Sequence, residues 1–345
     1  VFAKTGSAGV FPEGRPEFLA VRLAAEELNA AGGLLGHPVE VVEYDDQSTA
    51  LGSRQAAEEA IKAGVIAVIG ATRSSHSLGM APVLQSAGIP MITPVSTDPQ
   101  VTLTGHYIFR VCFIDDFQGE AMASFAAEHL GAKRAVVLTN TGESFSMSLA
   151  KFFMARFRRL GGTVLWEGDY LGSATDFTGL LVRVRELNPD VCFVPGYDAD
   201  TGFIIRQARI MGIRTVFLSG DGLSENIYTY AGGHADGTYF SSHWHPESTD
   251  PRSRTFVRAF EKKHGKIKEA SPALTYDAVK LLADSVRRAN SLDRARIRDA
   301  LAATKGFRGV TGEITFDRDR NPRKRIAVIL KLEKGRSVYV KGIEP

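Results

Sequence analysis

RAVVLTNTGESFSMSLAKFFMARFRRLGGTVLWE, residues 134–167, is the stretch whose reading decides the fold. Arg134–Leu138 is a short apolar run with β-branched residues, which predicts a strand. Ser146–Leu160 follows as a helix and stops at Gly161-Gly162, where the chain can turn out of helical geometry. Thr163–Glu167 reads as a second strand. Strand, helix and strand in so short a span predict a βαβ unit, hence two parallel strands covered by a helix.

The same alternation extends in both directions. Downstream, Phe177–Leu187 is a predicted helix behind the N-cap candidate Asp176, Val191–Val194 a strand, Thr201–Met211 a helix ending at Gly212, and Thr215–Leu218 a strand. Upstream lie a helix at Gln118–Leu130 and a strand at Phe109–Val111. Further back, Pro16–Ala31 places Phe18, Val21, Ala25 and Leu28 near helical period, with Pro16 at its start and Gly32-Gly33 at its end. Pro38–Tyr44 reads as a strand, Ser53–Ala63 as a helix, Val65–Ile69 as a strand buried on both faces, Ser75–Ala87 as a helix and Ile89–Ile92 as a strand. The last third changes character: helices at Arg252–His264, Pro272–Ala289 and Asp293–Ala303, then strands at Gly312–Phe316, Ile326–Leu332 and Ser337–Val340. Three helices in succession need a sheet to cover, so they are expected to return to the first lobe, with several chain passages between lobes. The fold class is α/β.

The chain has 345 residues, more than one compact core ordinarily holds. Its net charge of +3 arises from 42 basic and 39 acidic residues spread along the chain, which gives no electrostatic footprint for nucleic acid. The basic cluster Arg318 to Arg325 is broken by Asp319, Asn321 and Pro322 and reads as a solvated turn. No apolar stretch is long enough to span a bilayer. The opening Val1-Phe2-Ala3-Lys4 has no signal-peptide character, so a leader is expected to have been removed or to lie outside this sequence. Cys112 and Cys192, each inside an apolar run, read as two buried thiols.

Open α/β sheets bind ligands beyond the carboxyl ends of their strands. Beyond Val65–Ile69 comes Gly70-Ala71-Thr72-Arg73-Ser74-Ser75, where a helix N-terminus offers free N–H groups to an anion. Beyond Ile89–Ile92 comes Thr93-Pro94-Val95-Ser96-Thr97. Ser74 and Thr97 are either plain caps or ligand hydroxyls, and their occurrence in corresponding loops favours the second. In the other half, Val194 leads into Pro195-Gly196-Tyr197 and Leu218 into Ser219-Gly220-Asp221-Gly222. Tyr197 supplies an aromatic wall and Asp221 a carboxylate on an exposed turn. One lobe suits a carboxylate and the other an ammonium, the two ends of an α-amino acid.

Several segments in this order carry a resemblance: Glu27–Gly36 (ELNAAGGLLG), Tyr44-Asp45-Asp46-Gln47, Gly88–Pro94 (GIPMITP), Phe109-Arg110, Gln118-Gly119, Tyr276-Asp277-Ala278-Val279 and Phe316-Asp317. The chain resembles the branched-chain amino acid binding proteins, the type I periplasmic solute receptors of ABC transporters, over nearly its whole length. That resemblance implies two Rossmann-like lobes, residues 1–115 with 246–327 and residues 116–245 with 328–345. They would be joined by hinge segments near Ile114-Asp115, Trp244-His245 and Val328-Ile329. It implies a small aliphatic amino acid bound in the cleft between lobes, with Ser74 on the α-carboxylate, Thr97 on carboxylate and ammonium, Val95 giving a carbonyl, Ser96 beside them, and Tyr197 and Asp221 opposite. Phe145 stands where a tyrosine is more usual, and an aromatic near Phe11 would close the pocket. It further implies a monomer in the periplasm or lipid-anchored outside the cytoplasm, read by a membrane permease, without nucleic acid or cofactor. Thr72 and Arg73 replace apolar pocket residues. Arg73 either points to solvent or turns inward, in which case a polar or acidic amino acid would fit. His76 is expected at the surface.

An enzyme is the main rival. His243-Trp244-His245 with Glu247 suggests a metal, but histidines two apart in an extended segment need a third ligand and no helix supplies a matching pair. Phosphate loops and the Gly-x-Ser-x-Gly elbow are missing from the sequence. No catalytic residue and no metal site are expected. A sensor for amides or other small molecules on the same fold is the second rival.

Overall fold

The computed structural model describes residues 2–4, 16–323 and 326–344. Phe11 lies outside them. The chain divides into two compact units, one of residues 1–114 and 246–324, the other of residues 115–245 and 325–345.

The first unit holds the strands β1 (Phe2–Lys4), β2 (Glu43–Asp45), β3 (Val68–Ile69), β4 (Met91–Thr93) and β5 (Ile108–Arg110), all parallel, in the order β2-β1-β3-β4-β5. Its helices are α1 (Pro16–Ala30), α2 (Ala50–Lys62), α3 (Ser74–Ser86) and the short α4 (Gln100–Leu103). Side chains alternate across a strand. Ile69, Ile92 and Phe109 therefore face one core, while their neighbours Val68, Met91 and Ile108 face another. The first core is closed by α1 and by two helices from the end of the chain; the second is closed by α2 and α3. Apolar residues on both faces explain why these strands read as continuous hydrophobic runs.

The second unit carries α5 (Asp115–Ser124), which runs on as a π-helical turn at Phe125–His129, then β6 (Arg134–Asn140), α6 (Ser144–Arg159), β7 (Thr163–Tyr170), α7 (Thr178–Leu187), β8 (Val191–Phe193), α8 (Asp198–Ile210), β9 (Val216–Ser219), α9 (Tyr228–Ala231) and β10 (Tyr239–Ser242). The stretch at 134–167 is the βαβ unit its pattern predicts, with β6 and β7 parallel. Ala135, Val137, Val191 and Phe193 pack with α5 and α6, whereas Val136, Leu138, Cys192 and Val194 pack with α7 and α8. Phe153 of α6 stacks on Phe193 at 4.0 Å between ring centroids.

The chain then returns to the first unit as α10 (Pro251–His264), α11 (Ser271–Ala289) and α12 (Arg294–Ala302), followed by the hairpin β11 (Phe307–Gly309) and β12 (Gly312–Ile314). Asp250 and Asp293 cap α10 and α12 by accepting backbone N–H groups. In α11, Leu274, Ala278 and Leu281 lie in the same core as Val21, Ala24 and Leu28 of α1. The last strands, β13 (Ala327–Glu333) and β14 (Arg336–Ile343), add antiparallel to the second unit's sheet, whose order is β14-β13-β10-β9-β8-β6-β7.

Three local expectations are corrected. The strand forecast over Pro38–Tyr44 is only Glu43–Asp45, because the Asn29 amide takes both the N–H and the carbonyl of Val39 and withdraws that residue from a ladder. Val328 and Ile329 are not a hinge: both lie inside β13, paired to β10 on one side and β14 on the other. Ala327, placed by sequence in the first lobe, already pairs with Ile343 in that sheet.

Cys112 and Cys192 are both buried and neither forms a disulfide.

Candidate functional site

In the first unit the ends of β3 and β4 are stitched together around one carbonyl. Ala71 O accepts hydroxyls from Thr93 at 2.6 Å, Ser96 at 3.0 Å and Ser77 at 3.3 Å, and the Ser77 and Ser96 hydroxyls are 2.7 Å apart. Gly70 precedes this knot with φ +143°, a backbone setting open to glycine and costly for other residues. Below it, the guanidinium of Arg110, fully buried, donates to the carbonyls of Ser96 at 2.6 Å and Asp98 at 2.8 Å. The loop carrying Val95, Ser96 and Thr97 is thereby held from two sides.

Ser74 opens α3 and is buried; its hydroxyl accepts the Asp98 N–H at 3.2 Å. Thr97 is 1% exposed, and its Oγ1 has no hydrogen-bond partner among the described residues. Ser144, Thr201, Thr238, Ser271 and Thr275 carry buried hydroxyls in the same condition; Thr97 differs in its place, in the loop beyond β4 and beside the first turn of α3. Ser96 differs: its hydroxyl and carbonyl are both committed to the protein, so its place is in the scaffold of the loop. Val95 is half-buried against the core. Thr72 and Arg73 are half-buried and lead into α3. His76 is not at the surface. It is 3% exposed, and its Nδ1 lies 3.0 Å from Asp46 Oδ2, which also accepts the Ser53 hydroxyl. It lies on the face of α3 that packs on α2, and the acid of the Tyr44-Asp45-Asp46-Gln47 motif is its partner.

In the second unit Tyr197 stands at the N-cap of α8, its N–H donated to Asp200 Oδ1 at 2.7 Å. Its ring lies against Phe145 of α6 at 5.5 Å between centroids. Asp200 also accepts from Tyr170 Oη at 2.9 Å and Asn140 Nδ2 at 3.3 Å. Burial, above all, pushes the Asp200 carboxyl up, and burial together with the nearby Asp200 charge pushes the Tyr170 phenol well above its ordinary range. Asp198 clips the next loop by accepting the Ser224 hydroxyl at 2.6 Å and the Ser224 N–H at 2.8 Å. Burial raises Asp198 to about 7, against the pull of those two hydrogen bonds.

Asp221 does not sit on an exposed turn. Its side chain is 5% exposed, with Oδ2 2.7 Å from His243 Nε2 and Oδ1 accepting from Gln118 Nε2 at 2.9 Å. The flanking glycines are there for space. A Cβ on Gly222 would strike the Gly196 carbonyl, and one on Gly220 would strike Leu149. This packing presses the turn onto Phe145 and Tyr197. Residue reading missed Gln118, His243 and the Asp198–Ser224 clip. Gln118-Gly119 was visible as a motif segment, but its role as donor to a distant acid needs the fold to appear.

Among the described residues no group of three or more His, Cys, Asp or Glu side chains could hold a metal ion. No described helix is long and apolar enough to cross a membrane.

Two α/β units with mostly parallel sheets, exchanging chain segments and carrying polar loops at the carboxyl ends of their strands, define the type I periplasmic binding fold. Residues 1–336 match the periplasmic binding protein family, and the chain belongs to it. Membership makes it an extracytoplasmic solute-binding protein and not an enzyme. The Leu/Ile/Val-binding protein of Escherichia coli is 27% identical over 315 residues, covering 90% of this chain and 84% of that one. Among solved structures, a leucine binding protein LivK from Thermotoga maritima is 36% identical with a TM-score of 0.94, covering 100% of this chain and 97% of that one. The branched-chain amino acid transporter substrate binding protein LivJ from Streptococcus pneumoniae, in complex with isoleucine, is 29% identical with a TM-score of 0.93, covering 100% and 98%.

Proposed function

We propose that this chain is the receptor of an ABC importer for a small aliphatic amino acid, of the leucine, isoleucine and valine kind. The α-carboxylate is taken by Ser74, Thr97 and the N-terminus of α3. The ammonium is taken by Asp221 with Tyr197, and Phe145 backs the aromatic wall. The observation that carries this reading is the buried Thr97 hydroxyl without a partner, in the loop beside the first turn of α3. Supporting it are the buried Asp221 carboxylate and the likeness to the leucine and isoleucine binding proteins above. Binding stabilises a closed arrangement of the two units, which a membrane permease reads, and the chain works as a monomer.

Thermal shift against the twenty amino acids and small amides tests this. At a thousandfold excess over Kd a ligand adds about 4 kcal/mol to stability, which raises Tm by several degrees. Leucine, isoleucine or valine should give the largest rise. A larger rise with glutamate, aspartate or an amide, or none with any amino acid, sinks the proposal.

A further inference from the structure

We infer that His243 couples amino-acid affinity to its own protonation, because imidazolium and ligand ammonium compete for one carboxylate, Asp221. This deepens the proposed function and rests on it.

The geometry is a chain of four side chains inside the second unit. Gln118 of α5 donates Nε2 both to Asp115 Oδ1 at 3.0 Å and to Asp221 Oδ1 at 2.9 Å. Its Oε1 accepts the Ser241 hydroxyl of β10 at 2.8 Å and the Asp221 N–H at 3.3 Å. The other oxygen of Asp221 is 2.7 Å from His243 Nε2. Asp115 is fully buried, and the side chains of His243 and Asp221 are 1% and 5% exposed. Solvent therefore screens their charges poorly.

Among the hydrogen bonds described, the acids linked to His243 are Asp221 and, one amide beyond it, Asp115. Gln118 and Ser241 join them without charge, Phe145 of α6 packs on the turn at Gly220 and Gly222, and Tyr197 adds a phenol there. When protonated, His243 is a cation 2.7 Å from the Asp221 carboxylate. An arriving ammonium is a second cation at the same carboxylate. It repels the imidazolium proton, and by reciprocal linkage the imidazolium repels the ligand. With its one proton on Nε2, neutral His243 would still donate to Asp221, so the carboxylate would stay aimed while its full negative charge faces the ligand. His243 is thus a positioning residue whose proton sets the strength of the site.

The test is calorimetric titration of the full chain with leucine at about pH 5.5 and about pH 8, which bracket the usual imidazole titration. Affinity should be about tenfold higher at the alkaline end. Repeating the titration near neutrality in two buffers of different ionisation enthalpy should show proton release on binding. His243→Gln keeps a donor and removes the titration; its affinities at the two pH values should agree within about twofold. A wild-type affinity that is flat with pH and releases no proton overturns the coupling, and so does an unchanged slope in His243→Gln. The proton-release measurement needs no variant, so a misfolded His243→Gln leaves the question answerable. Absence of leucine, isoleucine and valine binding at pH 8 overturns the proposed function together with the coupling, whereas tight but pH-independent binding overturns the coupling alone.

Discussion

The two proposed half-sites are built from different chemistry. The first unit presents hydroxyls, a helix N-terminus and a knot of neutral hydrogen bonds around Ala71 O, braced by one buried arginine that donates to two carbonyls and a threonine hydroxyl. The second unit presents acids: Asp115, Asp198, Asp200 and Asp221, each accepting hydrogen bonds, with one amide shared by Asp115 and Asp221. The difference teaches where solution conditions act. In the proposed site, neutral hydroxyl and backbone dipoles would hold the ligand's carboxylate without titrating themselves. Carboxylates in poorly screened surroundings respond to a change of protonation nearby, so under the coupling proposed above the ammonium end would carry the pH dependence.

The largest effect is expected at the charged end. Asp221→Ala removes the proposed counter-charge to the ligand and takes from His243 Nε2 and Gln118 Nε2 the hydrogen bonds they make to it; leucine affinity should fall about a hundredfold or more, measured by calorimetry. Retention of wild-type affinity would remove Asp221 from the site and dissolve the contrast.

A smaller effect separates ligand hydroxyls from scaffold hydroxyls within the first unit. Thr97→Val should cost about tenfold in affinity while leaving stability within about 0.5 kcal/mol, since no described group loses a hydrogen bond. Ser96→Ala should do the reverse, losing about 1–2 kcal/mol of stability because Ala71 O and Ser77 lose a partner. Urea melts paired with leucine titrations distinguish the two, and equal stability losses would show that Thr97 is scaffold as well.

The smallest effect sharpens the pH contrast. Asp198 holds its proton more tightly when folded, at about 7, than an unfolded aspartate does. Its contribution therefore favours folding in acid and is lost as pH rises from about 4 through about 7. Asp198→Asn should flatten that part of the stability profile, gaining on wild type by about 1 kcal/mol at pH 8 and not at pH 4. Parallel profiles for the two proteins would place the proton elsewhere. Nothing comparable is expected from the loop of Ser74, Ser96 and Thr97.

Legibility in the sequence followed the range of the interaction. The βαβ unit at 134–167 was readable because its signals are local: apolar runs for the strands, paired glycines for the helix end. β10 was not, since Tyr-Phe-Ser-Ser carries little apolar pattern and is a strand through pairing with β9 and β13. β11 was missed for the same reason, its ladder being supplied by β12. Asp221 was recognisable as an acid between glycines, but its burial was not, because Gln118 and His243 reach it from distant parts of the chain. His76 read as a surface residue because its partner Asp46 lies far back along the chain.

Periodicity, caps and breakers determined the α/β class and the position of most helices, since they depend on neighbours within a few residues. The family could be suspected from ordered short motifs. Only the tertiary structure decided which hydroxyls are consumed by the protein and which are left over, and which acids are buried. Hydrogen bonding and desolvation depend on which side chains meet in space, and the separation of residues along the chain does not encode that meeting.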